Sequence, residues 1–317
     1  MNSLMRQRWF AVILIGISTL FGFCAPVEAQ GRKGRILVFT SHGAKPFQDV
    51  SSAFIEQLGK MGSLLELESI QLEGDASKVF NILEKKEKGG ADVILALGTV
   101  AAAAVIGKAG DLPVVVGLVL DSSEMAGRCN VTGVTLDIAP ETVLQSIVQV
   151  LPGRKRIGVL FDPGRSREKV ESASAAGGRM GLSISQERVE KTTDIPQALE
   201  SLSRKVDLLW GIHDDTVYTP QTAKQVLLFC YQNKIPFVGL SDAWVKAGAL
   251  FSVDADYREI GFQCAEMVDA ILKGQKAGSI PFARPRKLTH SLNLKTAQHM
   301  KLEIPARVIQ GASEVYR

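Results

Sequence analysis

The richest cluster of chemical groups in this chain is His213-Asp214-Asp215, an imidazole followed directly by two carboxylates. Consecutive residues on extended backbone point to opposite faces, so these three do not converge on one metal ion. The other histidines, His42, His290 and His299, show no paired helical spacing of the kind a zinc site uses. No Gly-x-Ser-x-Gly elbow offers a nucleophilic serine. Thr40-Ser41-His42-Gly43-Ala44-Lys45-Pro46 has one glycine and a proline where a dinucleotide turn needs three glycines, and there is no P-loop. Metal, cofactor and catalysis are therefore not expected. What remains is recognition chemistry: carboxylates that accept from an ammonium or hydroxyl, and helix N-termini that receive an anion.

Such groups need elements to position them. Ile36-Leu37-Val38-Phe39 is a short apolar run closed by the turn Thr40-Ser41-His42-Gly43, and 50–58 has apolar residues at helical spacing. The cycle repeats with strands at 64–72, 93–97 and 114–120 and helices at 76–86 and 100–109. After Leu151-Pro152-Gly153 a second set begins, with strands at 157–161, 182–189, 206–210 and 237–240 and helices at 165–180, 195–203 and 221–232. A long helix at 257–272 ends at Lys273-Gly274, and Leu292-Asn293-Leu294 reads as an edge strand. Short apolar strands alternating with amphipathic helices predict parallel sheets built by right-handed crossovers. Two successive sets predict two α/β lobes.

Ligands of such sheets bind outside the carboxyl ends of the strands. That rule selects Ser41, His42, Gly98, Thr99 and Asp121 from the first lobe, and Asp162, Asp214, Ser241 and Asp242 from the second. Thr99 is expected to cap the helix it opens, and the free N–H groups there suit a ligand anion. Asp214, just past the apolar run 206–210, is expected to meet a ligand ammonium or hydroxyl; its alternative is a turn or cap aspartate. Asp215 reads as a structural or hinge residue. His42 is a ligand contact or simply solvated. Ser241-Asp242 reads first as an N-cap and second as a ligand contact. For Phe47, Trp210, Tyr218 and Trp244, core packing is the expected role rather than stacking on a ligand.

The first 29 residues read as an export signal, with Arg6 and Arg8 before an apolar stretch and Val27-Glu28-Ala29 as the cleavage site. An uncleaved anchor, or a lipid anchor through Cys24, is the lesser reading. The chain carries a formal net charge of +4, too mild to imply nucleic acid. Basic clusters such as Arg154-Lys155-Arg156 have no interleaved aromatics and read as solvated element ends. Beyond the signal lie Cys129, Cys230 and Cys264, an odd count that leaves at least one free thiol. Cys230 and Cys264 sit in apolar helical runs and read as buried small hydrophobes.

Several stretches resemble the ABC transporter substrate-binding proteins, a family that includes binders of tryptophan and other aromatic amino acids. They are Asp214-Asp215-Thr216-Val217, Gly248-Ala249-Leu250-Phe251-Ser252-Val253-Asp254, Tyr257-Arg258-Glu259-Ile260-Gly261-Phe262-Gln263 and Asn293-Leu294-Lys295-Thr296-Ala297. In the first half, Leu97-Gly98-Thr99 and Asn130-Val131-Thr132-Gly133-Val134 agree. Leu120-Asp121-Ser122-Ser123 lacks the family's usual proline, and Phe161-Asp162-Pro163 has aspartate where asparagine is usual. The resemblance implies a type I periplasmic binding fold, a small-molecule ligand in the interlobe cleft, an ABC permease as partner and a monomeric, exported protein. On that basis residues 30–147 with 254–278 form the first lobe and 148–253 with 279–317 the second. The ligand stays open between an amino acid and another small polar metabolite. A periplasmic sensor docking on a membrane-bound signalling protein is the alternative function. A transcriptional regulator of this fold would carry a DNA-binding domain where this chain has its export signal.

Overall fold

A computed structural model describes residues 34–62, 65–86, 90–123, 125 and 127–317; the expected signal segment and Cys24 lie outside the described residues. The first sheet is built from β1 (Gly34–Thr40), β2 (Leu65–Gln71), β3 (Val93–Leu97), β4 (Val114–Val119) and β5 (Val131–Thr135), ordered β2-β1-β3-β4-β5 and parallel throughout. Its crossovers contain α1 (Lys45–Lys60), α2 (Ser77–Lys86) and α3 (Thr99–Ile106). After α4 (Pro140–Val150), the second sheet uses β6 (Arg156–Phe161), β7 (Ser183–Arg188), β8 (Leu208–Trp210), β9 (Phe237–Gly239) and β10 (Phe251–Ala255). It ends with β11 (Leu288–Asn293) and β12 (Glu314–Tyr316), in the order β7-β6-β8-β9-β10-β11-β12. Its helices are α5 (Arg167–Arg179), α6 (Ile195–Ser203), α7 (Pro220–Gln232), α8 (Asp242–Ala247), α10 (Leu294–His299) and α11 (Ala306–Gly311), while α9 (Tyr257–Leu272) packs beside α1 on the first sheet.

The apolar runs explain the layering. β1, β3 and β4 are buried on both faces because helices cover both. Ile36, Val38, Val93 and Leu95 point into a core with α1 and α9, and Leu37, Phe39, Ile94 and Ala96 into one with α2 and α3. The outer strands β2 and β7 are half-exposed and carry charges such as Glu66 and Arg188, which discourages pairing with another chain.

The lobes divide by packing. Val143, Leu144, Ile147 and Val150 bury the apolar face of α4 in the second lobe's core, although the expected bounds put all but the last with the first lobe. Residues 280–283 go the other way: Ala283 bridges β5 at Val134, and Thr132 Oγ1 donates to the Ile280 carbonyl at 2.8 Å. The chain therefore crosses between lobes near 136–139, 254–257 and 284–287. Two ion pairs lie at these crossings, Arg284–Asp137 at 2.8 Å and Lys287–Asp256 at 2.7 Å.

Leu292-Asn293-Leu294 is not an edge strand. β11 pairs with β10 on one side and β12 on the other, and the Asn293 side chain stops the strand by accepting from the Thr296 N–H at 2.9 Å to cap α10.

Arg156 holds β6 to the segment leading into β8. Its guanidinium donates twice to Asp207, whose other oxygen takes the N–H groups of Lys155 and Arg156. The Arg156 hydrogen bonds above all hold the Asp207 carboxyl down at about 2. A depressed folded value means that this stabilisation is present above about 4 and lost as pH falls through about 2. Asp207→Asn is expected to lower stability by about 1–2 kcal/mol at neutral pH. The gap from wild type, read from urea midpoints, should close as the buffer is acidified from about pH 4.

Candidate functional site

The first-lobe strand tips are built around Ser41. Its hydroxyl donates to the Leu97 carbonyl at 3.0 Å and accepts the Ala101 N–H at 3.0 Å, with the residue 2% exposed. Ser41 thus caps α3 from the neighbouring strand. Thr99 does not cap it: Thr99 is the first residue of the helix, and the N-cap is Gly98. Gly98 has φ +88, and a Cβ there would lie 2.6 Å from Ser41 Oγ, so only glycine lets the cap approach. Thr99 and His42 are exposed, and His42 sits edge-on to Phe47 with centroids 6.0 Å apart.

The second-lobe tips close on Asp214. Its Oδ2 accepts from the Asp162 N–H and the Ser166 hydroxyl, each at 2.7 Å, and its Oδ1 from the N–H groups of Thr216 and Val217 at 2.9 and 3.1 Å. The residue is 5% exposed. The expectation of a ligand ammonium on Asp214 is corrected accordingly: internal donors fill the carboxylate, which ties two loops together. Asp162 accepts from Thr216 Oγ1 and the Gly164 N–H, bonds that hold its carboxyl below its ordinary value, and Arg165 lies 3.8 Å away. Ser241 is positioned as N-cap of α8 but makes no capping bond, and both Asp242 oxygens accept from the Tyr316 hydroxyl at 2.8 Å.

Between the lobes lies a cavity of about 550 Å³. Of the nine expected site residues only Asp121 and Ser241 line it; Ser41, His42, Gly98, Thr99, Asp162, Asp214 and Asp242 do not. The cavity sits toward the crossings, walled by the tips of β4, β8 and β9, by 136–138, and by Asp254 and Tyr257. A bulge aims the β4 tip: the register slips between Gly117 and Val119, and Leu118 takes φ +56, a strained conformation for a branched side chain. Asp121 then turns back on itself, accepting from the Ser123 N–H and hydroxyl. Those bonds, with the charge of Lys169 across the cleft, keep its carboxyl below its ordinary value.

The lining divides about evenly between apolar and polar surface. Leu136, Trp210, Val238 and Phe282 provide the apolar walls, and Lys169, Arg284, Asp121, Asp137, Glu168 and Asp254 the charged groups. Trp210 is both buried, at 6% exposure, and part of the cavity wall, whereas Tyr218 and Trp244 pack with Phe237 under the second lobe. His213 faces the cavity; desolvation by its walls, then Lys169, lowers its pKa below the ordinary histidine value. Asp254 and Lys169 were missed at the sequence level. Asp254 had a signal, a carboxylate in the otherwise buried strand Phe251–Ala255, whereas Lys169 looks like any basic residue on a solvated helix face.

The comparisons agree with this architecture. A family profile described as ABC transporter substrate binding protein matches residues 36–316. A tyrosine-binding protein of Clostridioides difficile (strain R20291) is 24% identical over 232 residues, covering 70% of this chain and 66% of that relative, just under two thirds of its length. Among solved structures, an ABC domain in complex with L-Trp from Streptococcus pneumonia has a TM-score of 0.67 at 24% identity, covering 90% of this chain and 100% of that one. The ligand-free, open structure of a substrate-binding protein with adhesive properties from Clostridium difficile reaches 0.77 at 21% identity, covering 89% and 99%.

Proposed function

The chain belongs to the ABC transporter substrate-binding proteins, and from that premise we propose that it is the exported receptor of an uptake transporter, closing its lobes on an amino acid. The observation that carries this reading is the interlobe cavity. Its volume of about 550 Å³ falls within the range of small-molecule sites, roughly 300–1,000 Å³. Its apolar walls suit a hydrophobic side chain, and its charges of both signs suit a zwitterion. The tyrosine-binding relative and the fold neighbour crystallised with L-Trp put aromatic amino acids first in line.

Ligand contacts to both lobes favour the closed arrangement, because only there are all of them made at once. The three crossings bend to allow it. Closure aligns one surface from each lobe, and a membrane permease that reads the pair distinguishes loaded from empty receptor. A micromolar dissociation constant corresponds to about −8 kcal/mol, and the part of it realised only in the closed form, about 5.5 kcal/mol for a full reversal from 1:99 to 99:1, is what moves the equilibrium.

A thermal-shift screen against the twenty amino acids, sugars, nucleosides and organic acids tests the reading. Ligand at 100 times its dissociation constant adds about 2.7 kcal/mol, or a rise in Tm of roughly 4–5 °C for a chain of this size. Tyrosine or tryptophan is expected among the strongest shifts. A response confined to sugars or nucleosides would overturn the assignment.

A further inference from the structure

Asp254, the last residue but one of β10, stands at a crossing and lines the cavity together with Ser241 and Tyr257. Its carboxylate accepts from the Tyr257 hydroxyl at 3.0 and 3.1 Å and from the Ala255 N–H at 2.8 Å. These donors are neutral. The charged groups that act on it and on its Tyr257 partner are acidic: Asp242 at the start of α8, and Asp49 on α1 near Tyr257. The nearby base Lys287 is held by Asp256 at 2.7 Å. Among the described residues, no ion pair brings a cation within reach of Asp254. Burial, with the charge of Asp242 adding, pushes its carboxyl up to about 6. A half-buried cleft carboxylate without a counter-charge is costly to hold, and a bound cation relieves the cost. Among the described residues no three metal-ligating side chains cluster, so an ammonium suits the place better than a metal ion. Of the cavity's two permanent cations, Asp137 holds Arg284; the other, Lys169, makes no described ion pair and is suited to an opposite charge on the same ligand.

We propose that Asp254 receives the ligand's ammonium group, braced by the Tyr257 hydroxyl, so that the cleft selects zwitterionic amino acids over neutral solutes. This rests on the reading of the cleft as the ligand site and names the group that decides its substrate class. The free receptor then carries a built-in cost. A raised carboxyl stabilises the fold below about 4, and that contribution is lost as pH rises through about 6. Near pH 7.5 the ligand-free Asp254→Asn variant should therefore melt no lower than wild type, while binding far more weakly. A residue with a merely structural role would not pair those outcomes.

The test is calorimetry on the mature chain, wild type and Asp254→Asn, with L-tyrosine, L-tryptophan and the other amino acids, each aromatic one beside its deamino analogue. Wild type is expected to lose about 30-fold or more in affinity when the ammonium is removed from the ligand, and Asp254→Asn to lose as much for the amino acid itself. The variant should no longer distinguish the two. Wild-type affinity should fall about tenfold from pH 7.5 to pH 5 as the carboxylate is protonated. His213 faces the same cavity and titrates in both proteins, so the difference between the profiles reports Asp254. Equal binding of amino acid and deamino analogue by wild type overturns the inference even if the variant fails to fold. Undiminished amino acid binding by Asp254→Asn overturns it and leaves the receptor function standing. If wild type binds no amino acid at all, both fall.

Discussion

Replacing Asp214 by alanine is expected to lower the Tm by about 5–8 °C, the largest loss from any single side chain at the strand tips. The carboxylate accepts four hydrogen bonds, from two backbone loops and the Ser166 hydroxyl, with almost no access to water. Hydrogen bonds to a charged acceptor contribute about 1.5–3 kcal/mol each and are not additive; the three backbone N–H groups would lose their partner, while the Ser166 hydroxyl keeps the His213 carbonyl within reach at 3.3 Å. A total of about 3–5 kcal/mol follows, and a chain of this size converts each kcal/mol into a little under about 2 °C. Asp214→Asn should recover only part of it. Its amide keeps one accepting oxygen but turns an NH₂ toward two of the donors. Circular dichroism melts, with hydrogen exchange at Thr216 and Val217, would show the loosened loop. Should the alanine variant melt with wild type yet fail to bind an amino acid, the inward bonding would be refuted in favour of direct ligand contact.

That residue also shows where sequence reasoning stopped. The apolar run 206–210 marks a strand, and the strand-tip rule puts the next acid near the cleft, which is where Asp214 lies. Whether its oxygens turn outward or inward depends on the N–H of Asp162 and the hydroxyl of Ser166, about fifty positions earlier in the chain. No local pattern carries that information. Thr99 was misread for a related reason. Its position at a helix start is visible in the sequence, but the side chain that caps α3 arrives from β1 through Ser41, 60 residues away.

The two sheets themselves were legible because both faces of their central strands are buried, which leaves runs such as Val93–Leu97 without a polar interruption. The lobe divisions were less so. α4 is amphipathic by pattern, and its apolar stripe fits either lobe; only packing on Val170 and Ala173 of α5 assigns it to the second. Asp254 carries the same lesson in reverse. It stood inside a stretch quoted for its family resemblance, and its chemistry emerged only when β10 delivered it to a crossing between the lobes.

Gly261→Val is the other substitution with a large expected effect, about 3 kcal/mol or more. Gly261 lies in the second turn of α9, where glycine is a poor helix former, costing about 1 kcal/mol relative to alanine. Its reason is contact: a Cβ there would run into the Val50 carbonyl oxygen and approach Ala53 Cβ to 2.8 Å and the Phe54 nitrogen to 3.0 Å. Two of those atoms are backbone of α1, so no rotamer change relieves the overlap, and the helices must separate. Gly178 in α5 is the internal control, because a Cβ at that position meets nothing within 4 Å. Gly178→Ala should leave stability unchanged or raise it by up to about 1 kcal/mol through helix propensity alone. The first substitution also has a functional reach. α9 begins at Tyr257, whose hydroxyl braces Asp254, so a helix pushed off α1 moves the brace. Gly261→Ala, the milder variant, should therefore lose amino acid affinity together with stability, whereas Gly178→Ala should change neither adversely. If calorimetry found ligand affinity intact in a Gly261→Ala protein whose melt is clearly lowered, the link from α9 packing to the cleft carboxylate would be broken.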